Sequence, residues 1–205
     1  MKLARTSQVL VEYGMVMSTN NFKIIFVHGY TASSQSDWYP EIASELKNLG
    51  IDHTILDLPG GTSPHASEWL REIHKAVLQT SKPVVLVGHS LGTRAIPLYL
   101  EKYKPKVKAV FLIAAFANRL ENAYKYDVDA YPDFFEHLID IDSIKPLVEK
   151  FVVMHSKDDP LDFEQGVEIA KELNAKLITY EDKGHFNGSE NAPIVLEVLR
   201  KELDF

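Results

Sequence analysis

The chain contains no cysteine. That absence excludes disulfides, thiolate metal ligands and a cysteine nucleophile together, and leaves the redox compartment open. Long hydrophobic runs are missing too. No stretch approaches the ~20 apolar residues that a spanning helix needs, so no membrane association is expected and a cytoplasmic location is. Positive charge is in deficit: 22 Lys and Arg stand against 29 Asp and Glu, a net charge of −7 with histidine neutral. Nucleic-acid surfaces concentrate Lys and Arg on phosphate, so no nucleic-acid partner is expected. The sequence has no H-x-x-x-H pair, no carboxylate cluster at ligand spacing, no P-loop and no G-x-G-x-x-G. Neither a metal nor a nucleotide cofactor is therefore expected. Internal repeats and low-complexity segments are likewise absent.

What is present is an ordinary globular composition, 45% apolar and 25% charged over 205 residues. It suits a single domain spanning 1–205 with one sizeable core. The first twenty residues stand apart. They open with the basic Met1-Lys2-Leu3-Ala4-Arg5, and an apolar stretch from Val9 to Met17 is broken by Glu12. No small-x-small cleavage site follows, so an amino-terminal arm or an extra edge strand is expected rather than a signal peptide. Met15 and Met17 are alternative starts.

Beyond that arm the chain alternates. Short apolar runs at Lys23–Val27, Ile51–Leu56, Pro83–Val87, Val107–Ala114, Phe151–Met154 and Lys176–Tyr180 read as strands. Runs without polar alternation fit strands buried on both faces, as in a parallel sheet. Between them, apolar residues step by three and four over Trp38–Leu49, Ser67–Leu78, Leu91–Tyr103, Phe163–Leu173 and Ala192–Leu203, which predicts helices. Gly50 is placed to end the first. Pro97 should kink or shorten the third. The pattern predicts an α/β three-layer sandwich: a mostly parallel six-stranded sheet, seven if the arm adds a strand, with helices on both faces. One stretch breaks the rhythm. Residues 116–146, rich in aromatics (Phe116, Tyr124, Tyr126, Tyr131, Phe134, Phe135) and in aspartate, read either as a lid or excursion or as short helices over the sheet edge.

Ligands in such sheets bind at the carboxyl ends of strands, and the chemically distinctive residues fall there. Gly88-His89-Ser90-Leu91-Gly92 is G-x-S-x-G, placed after an apolar strand and before a helix. The glycines allow a sharp turn that lifts the Ser90 hydroxyl clear of the sheet as a nucleophile. A serine hydroxyl needs a base at neutral pH. His185, in Lys183-Gly184-His185-Phe186 after the last strand, is placed to supply it. Of the other seven histidines, His28 and His89 sit beside glycine turns and read as loop supports. His155 is a weaker candidate for the base. His53, His65, His74 and His137 read as solvated. An acid that orients the imidazole is expected after the fifth strand, where Asp158 and Asp159 are adjacent and only one can face His185. Two backbone N–H groups should stabilise an oxyanion: Leu91, directly after the serine, and Tyr30, in the His28-Gly29-Tyr30-Thr31 turn.

Taken together, His28-Gly29, Gly88-His89-Ser90-Leu91-Gly92, Asp159-Pro160 and Gly184-His185-Phe186 resemble the α/β-hydrolase superfamily. The short chain, His28-Gly29-Tyr30 with Trp38 downstream, and Asp158-Asp159-Pro160 resemble more narrowly the small serine hydrolases related to retinoblastoma-binding serine hydrolase and the YdeN-like bacterial proteins. The resemblance runs from about Phe22 to Leu203. It implies the α/β-hydrolase fold, with Ser90 as nucleophile, His185 as base and Asp159, the aspartate before proline, as the acid. The family's D-P-x-V-P continuation is replaced here by Asp159-Pro160-Leu161-Asp162-Phe163. The expected function is a carboxylesterase-like serine hydrolase that cleaves a small or medium acyl ester of a small molecule through an acyl-enzyme. The alternatives are a catalytically weak binding protein on the same fold and an acyltransferase.

Overall fold

A computed structural model describes residues 21–120 and 128–205. The proposed arm or seventh strand at 1–20, and Tyr124 and Tyr126 of the excursion, lie outside the described residues. Six strands form one parallel sheet in the order β2-β1-β3-β4-β5-β6. They are β1 (Lys23–Val27), β2 (Asp52–Ile55), β3 (Val84–His89), β4 (Ala109–Ile113), β5 (Phe151–Ser156) and β6 (Lys176–Tyr180). The helices are α1 (Tyr39–Asn48), α2 (Ala66–Leu78), α3 (Gly92–Tyr103), the single turn α4 (Ile141–Ile144), α5 (Phe163–Leu173) and α6 (Ala192–Leu203).

The period-two geometry of a strand divides its side chains between two cores. Ile25, Val27, Leu86, Val110, Leu112 and Val153 face the layer of α2, α3 and α5. Ile24, Phe26, Val85, Val87, Phe111 and Val152 face α1 and α6. Every residue of β3, β4 and β5 is buried, which is why these strands read as unbroken apolar runs.

Strand order reverses between β1 and β3, so the turns that follow these two strands open into the same crevice. The fit between them is close. A Cβ on Gly92 would collide with the Val27 carbonyl, and one on Gly88 would lie 2.8 Å from the backbone of Gly92. Glycine is required at both places for α3 to pack directly against β1 and β3.

Pro97 does not shorten α3, which runs without a break from Gly92 to Tyr103. Its missing N–H leaves the helix short of one bond. Every residue from Gly92 to Leu100 is buried, and that packing offsets the loss.

The described part of the excursion is packed rather than loose. It comprises two 3-10 turns (Val128–Ala130 and Pro132–Phe134), α4 and a third 3-10 turn (Lys145–Leu147). Tyr131, Phe134, Ile139 and Ile144 join the core on the α3 face. Arg94, buried in the first turn of α3, ties the segment down. Its Nε donates to the Phe134 carbonyl (2.7 Å), Nη2 to the His137 carbonyl (2.6 Å) and Nη1 to Asn118 Oδ1 (2.9 Å). Burial pulls the guanidinium down to about 10, so it stays charged at neutral pH. Asp133 adds a second tie by accepting the Ala66 N–H at the start of α2 (2.8 Å).

Replacing Arg94 with Met removes all three hydrogen bonds and strands the buried Phe134 carbonyl. Arg94→Met should therefore lower stability to urea by about 3 kcal/mol. Arg94→Lys should recover only part of it, since a point ammonium cannot address three acceptors in a fork. A Met variant with an unchanged urea midpoint would show that the excursion is held elsewhere.

Candidate active site

The site forms where the turns after β1, β3, β5 and β6 meet. Ser90 ends the β3 turn in a left-handed conformation, with φ +52°. Its N–H donates to the Ile113 carbonyl (3.0 Å), and its own carbonyl accepts from the N–H (2.8 Å) and hydroxyl (2.6 Å) of Thr93. A Cβ on Gly29 would stand 2.9 Å from Ser90 Cβ, so only glycine lets the β1 turn come this close to the serine.

His185 Nε2 lies 2.8 Å from Ser90 Oγ, and its Nδ1 lies 2.8 Å from Asp159 Oδ1. A carboxylate only accepts, so Nδ1 carries the proton and Nε2 presents a lone pair to the serine hydroxyl. The Asp159 side chain is wholly buried. The structure also separates the two adjacent aspartates. Asp158 is exposed, and its Oδ1 accepts from the Ser156 hydroxyl (2.6 Å) and the Gly184 N–H (2.8 Å). Those two bonds hold its carboxyl below the usual range.

Tyr30 lines the crevice and Leu91 directly follows Ser90, and the N–H of neither donates to any partner among the described residues. A cavity of about 370 Å³ opens over Ser90 and His185, walled by Tyr30, Phe116, Tyr131 and Leu161. A larger groove of about 790 Å³ lies at the opposite end of the sheet, beside Lys82, Lys106 and Lys108. It contains no nucleophile paired with a base, so size alone does not mark the site. Among the described residues no cluster suited to a metal ion occurs.

The loop that carries His185 is tethered along its length. The Lys183 N–H donates to Ser156 Oγ (2.8 Å) and the Gly188 N–H to Asp37 Oδ1 (3.1 Å). His89 Nε2 donates to the His185 carbonyl (2.7 Å), and Trp38 Nε1 to the Phe186 carbonyl (3.0 Å). His28 supports the other turn: its Nε2 accepts the Leu58 N–H (3.0 Å), which places the proton on Nδ1, facing the Gly29 carbonyl (2.8 Å). His155, considered above as a base, lies behind Asp159 instead, with Nε2 3.6 Å from Asp159 Oδ2. The tethers Asp37 and Ser156 carried no signal in the sequence, and Trp38 entered only through the family resemblance. Each works through a backbone group distant along the chain, a pairing that no local pattern encodes.

His89 makes the native state sensitive to acid. Burial first, then the neighbouring His185, lowers it from 6.5 to about 4. The unfolded chain therefore binds this proton before the folded one does, and stability falls as pH drops from about 6.5 toward about 4. Burial lowers His28 and His155 in the same direction. Urea midpoints measured from pH 7.5 to 5 should decline for the wild type and decline less for His89→Gln. Parallel declines would remove His89 as a source.

Comparison with known proteins identifies the family. The family model described as serine hydrolase matches residues 24–200. YdeN of Bacillus subtilis is 28% identical over 183 residues, covering 86% of this chain and 94% of its own. Serine hydrolase RBBP9 of Rattus norvegicus is 26% identical over 155 residues, covering 75% and 80%. The crystal structure of the B. subtilis ydeN gene product superposes with a TM-score of 0.79 at 27% identity, covering 89% of this chain and 99% of that one. The fold is that of the α/β hydrolases, and the chain belongs to the serine hydrolase family.

Proposed function

We propose that this protein hydrolyses a small or medium acyl ester through an acyl-enzyme on Ser90. The observation that carries the reading is the unbroken chain Asp159–His185–Ser90, with both links 2.8 Å, at a cavity that opens over Ser90 and His185.

The chemistry follows from the proton positions. Ser90 Oγ attacks the ester carbonyl carbon while its proton passes to His185 Nε2. Asp159 stabilises the imidazolium and keeps its Nδ1–H directed away from the serine. Negative charge develops on the carbonyl oxygen, and the N–H groups of Tyr30 and Leu91 are the donors assigned to it. The tetrahedral species collapses, the C–O bond to the leaving alcohol breaks, and His185 returns the proton to that oxygen. Water then attacks the acyl-serine, giving its proton to His185. The second collapse releases the carboxylic acid and restores the Ser90 hydroxyl. The cavity of about 370 Å³ is near the small end of ligand sites, ~300–1,000 Å³, and favours a compact acyl group over a long chain.

Labelling with a fluorophosphonate probe, beside turnover of p-nitrophenyl acetate, tests this directly. The wild type should label and turn over, and Ser90→Ala should lose both, with turnover down at least about a thousandfold. A folded wild type that takes no label would point instead to a binding protein on a hydrolase fold. Added alcohol acceptors that trap most of the acyl group would identify a transferase.

The two aspartates make a second test. Asp159→Asn should lower kcat about a thousandfold or more, by removing the charge that fixes the His185 tautomer. Asp158→Asn, which alters only a loop tether, should cost about tenfold or less. Similar losses from both would undo the assignment.

A further inference from the structure

His155 is buried, chemically capable and unused by the mechanism above. It stands near the end of β5, its side chain is fully buried, and it does not line the cavity over Ser90. Its Nε2 lies 3.3 Å from the Leu161 carbonyl, which can only accept, so the proton sits on Nε2. Its Nδ1 is buried and unpaired, which suits a bare lone pair better than an N–H. Burial lowers this histidine's affinity for a second proton, in keeping with the neutral form.

The same Nε2–H faces the back of Asp159. That carboxylate is asymmetrically engaged. Oδ1 takes both the His185 Nδ1–H and the Leu161 N–H, each at 2.8 Å. Oδ2 is buried and accepts no hydrogen bond, and His155 Nε2 lies 3.6 Å from it. An unpaired carboxylate oxygen in a dry site is costly, and a dipole directed at it is the available compensation.

The ring also has a place made for it. Gly166 lies within α5, where glycine costs about 1 kcal/mol relative to alanine. A Cβ there would stand 2.5 Å from Cγ and Nδ1 of His155. Phe163 packs edge-on against the same ring, with centroids 6.0 Å apart. The helix is thus shaped around an imidazole.

We propose that His155 is a positioning residue for the triad: its Nε2–H, donated to the Leu161 carbonyl, also brings its positive end to 3.6 Å from Asp159 Oδ2 and through that dipole holds the carboxylate so that Oδ1 stays on His185. This rests on Asp159 acting as the acid in the reaction proposed above. As His185 takes the serine proton, the demand on Asp159 rises, and a carboxylate free to rotate would divide its charge between two orientations. The effect should therefore appear in turnover and not in substrate binding.

The test is steady-state hydrolysis of p-nitrophenyl acetate by the full chain and its variants, with folding checked by circular dichroism and thermal melting. His155→Leu and His155→Met remove the donor. Met, being unbranched and adaptable, provides a folded case should Leu not pack. Both should lower kcat about tenfold with KM within about twofold of wild type. His155→Gln restores an N–H near the Nε2 position and should keep kcat within about threefold. Wild-type kcat in a folded apolar variant would overturn the proposal. So would a Gln variant as impaired as the apolar ones, or a loss expressed in KM. Ser90→Ala in the same assay separates the two levels of inference: if it still turns over, the serine mechanism itself fails, whatever the His155 variants do.

Discussion

Ser90 can stand at φ +52° only because three glycines surround it, and the rest of the site is built outward from that conformation. A left-handed serine costs of the order of 1–3 kcal/mol and persists where its neighbours over-determine it. Here the Ile113 carbonyl takes its N–H, and Thr93 donates twice to its carbonyl. Gly88 and Gly92 let α3 close onto β3 and β1, and Gly29 brings the β1 turn against the serine. The same close approach brings the turn that carries Tyr30 beside the turn that carries Ser90 and Leu91. The left-handed serine and the meeting of the two turns thus depend on the same glycines.

The opposing half of the site is a loop, and loops are imprecise unless tethered. Residues 183–188 are held by five contacts from three other parts of the chain: Ser156 and Asp158, His89, and Asp37 with Trp38. His89 belongs to the Ser90 turn itself, so the serine and the histidine are connected by a second route besides their own hydrogen bond. That route uses a neutral imidazole with its proton on Nε2. The burial that lowers His89 to about 4 keeps it in that form across the neutral range. The acid sensitivity and the precision of the loop therefore come from the same buried ring.

How much of this could be read from the sequence depends on how local each signal is. Strands β3, β4 and β5 were legible because burial on both faces removes polar alternation, and the turn at Ser90 because its glycines are neighbours in the chain. The choice between Asp158 and Asp159 was not legible from the residues, since adjacent side chains diverge only once the loop is folded. The resemblance to known hydrolases favoured Asp159, and the geometry places it on His185. Pro97 misled because helix propensity is overridden where every neighbouring residue is buried. Arg94 gave no signal, because on a helical pattern an arginine reads as solvated, and two of its three acceptors are backbone carbonyls forty or more residues away. His155 could be seen as a histidine after a strand, but its partner Asp159 is identified only by the loop that turns back over it.

Arg94 bears on more than stability. It lies one turn beyond Ser90 on α3, and from there it fixes the segment that carries Tyr131. Tyr131 meets Tyr30 with ring centroids 5.0 Å apart, and both residues wall the cavity over Ser90. One helix therefore sets the position of the serine at its start and of the facing wall through its first turn. Phe134 and Ile144, buried in the main core, make the wall part of the folded body and not a flap laid on it. With both sides referred to α3, the room above Ser90 is fixed by the side chains at 30, 116, 131 and 161. Exchanging them would change the space available to an acyl group while leaving the Asp159–His185–Ser90 alignment to the separate network that holds it.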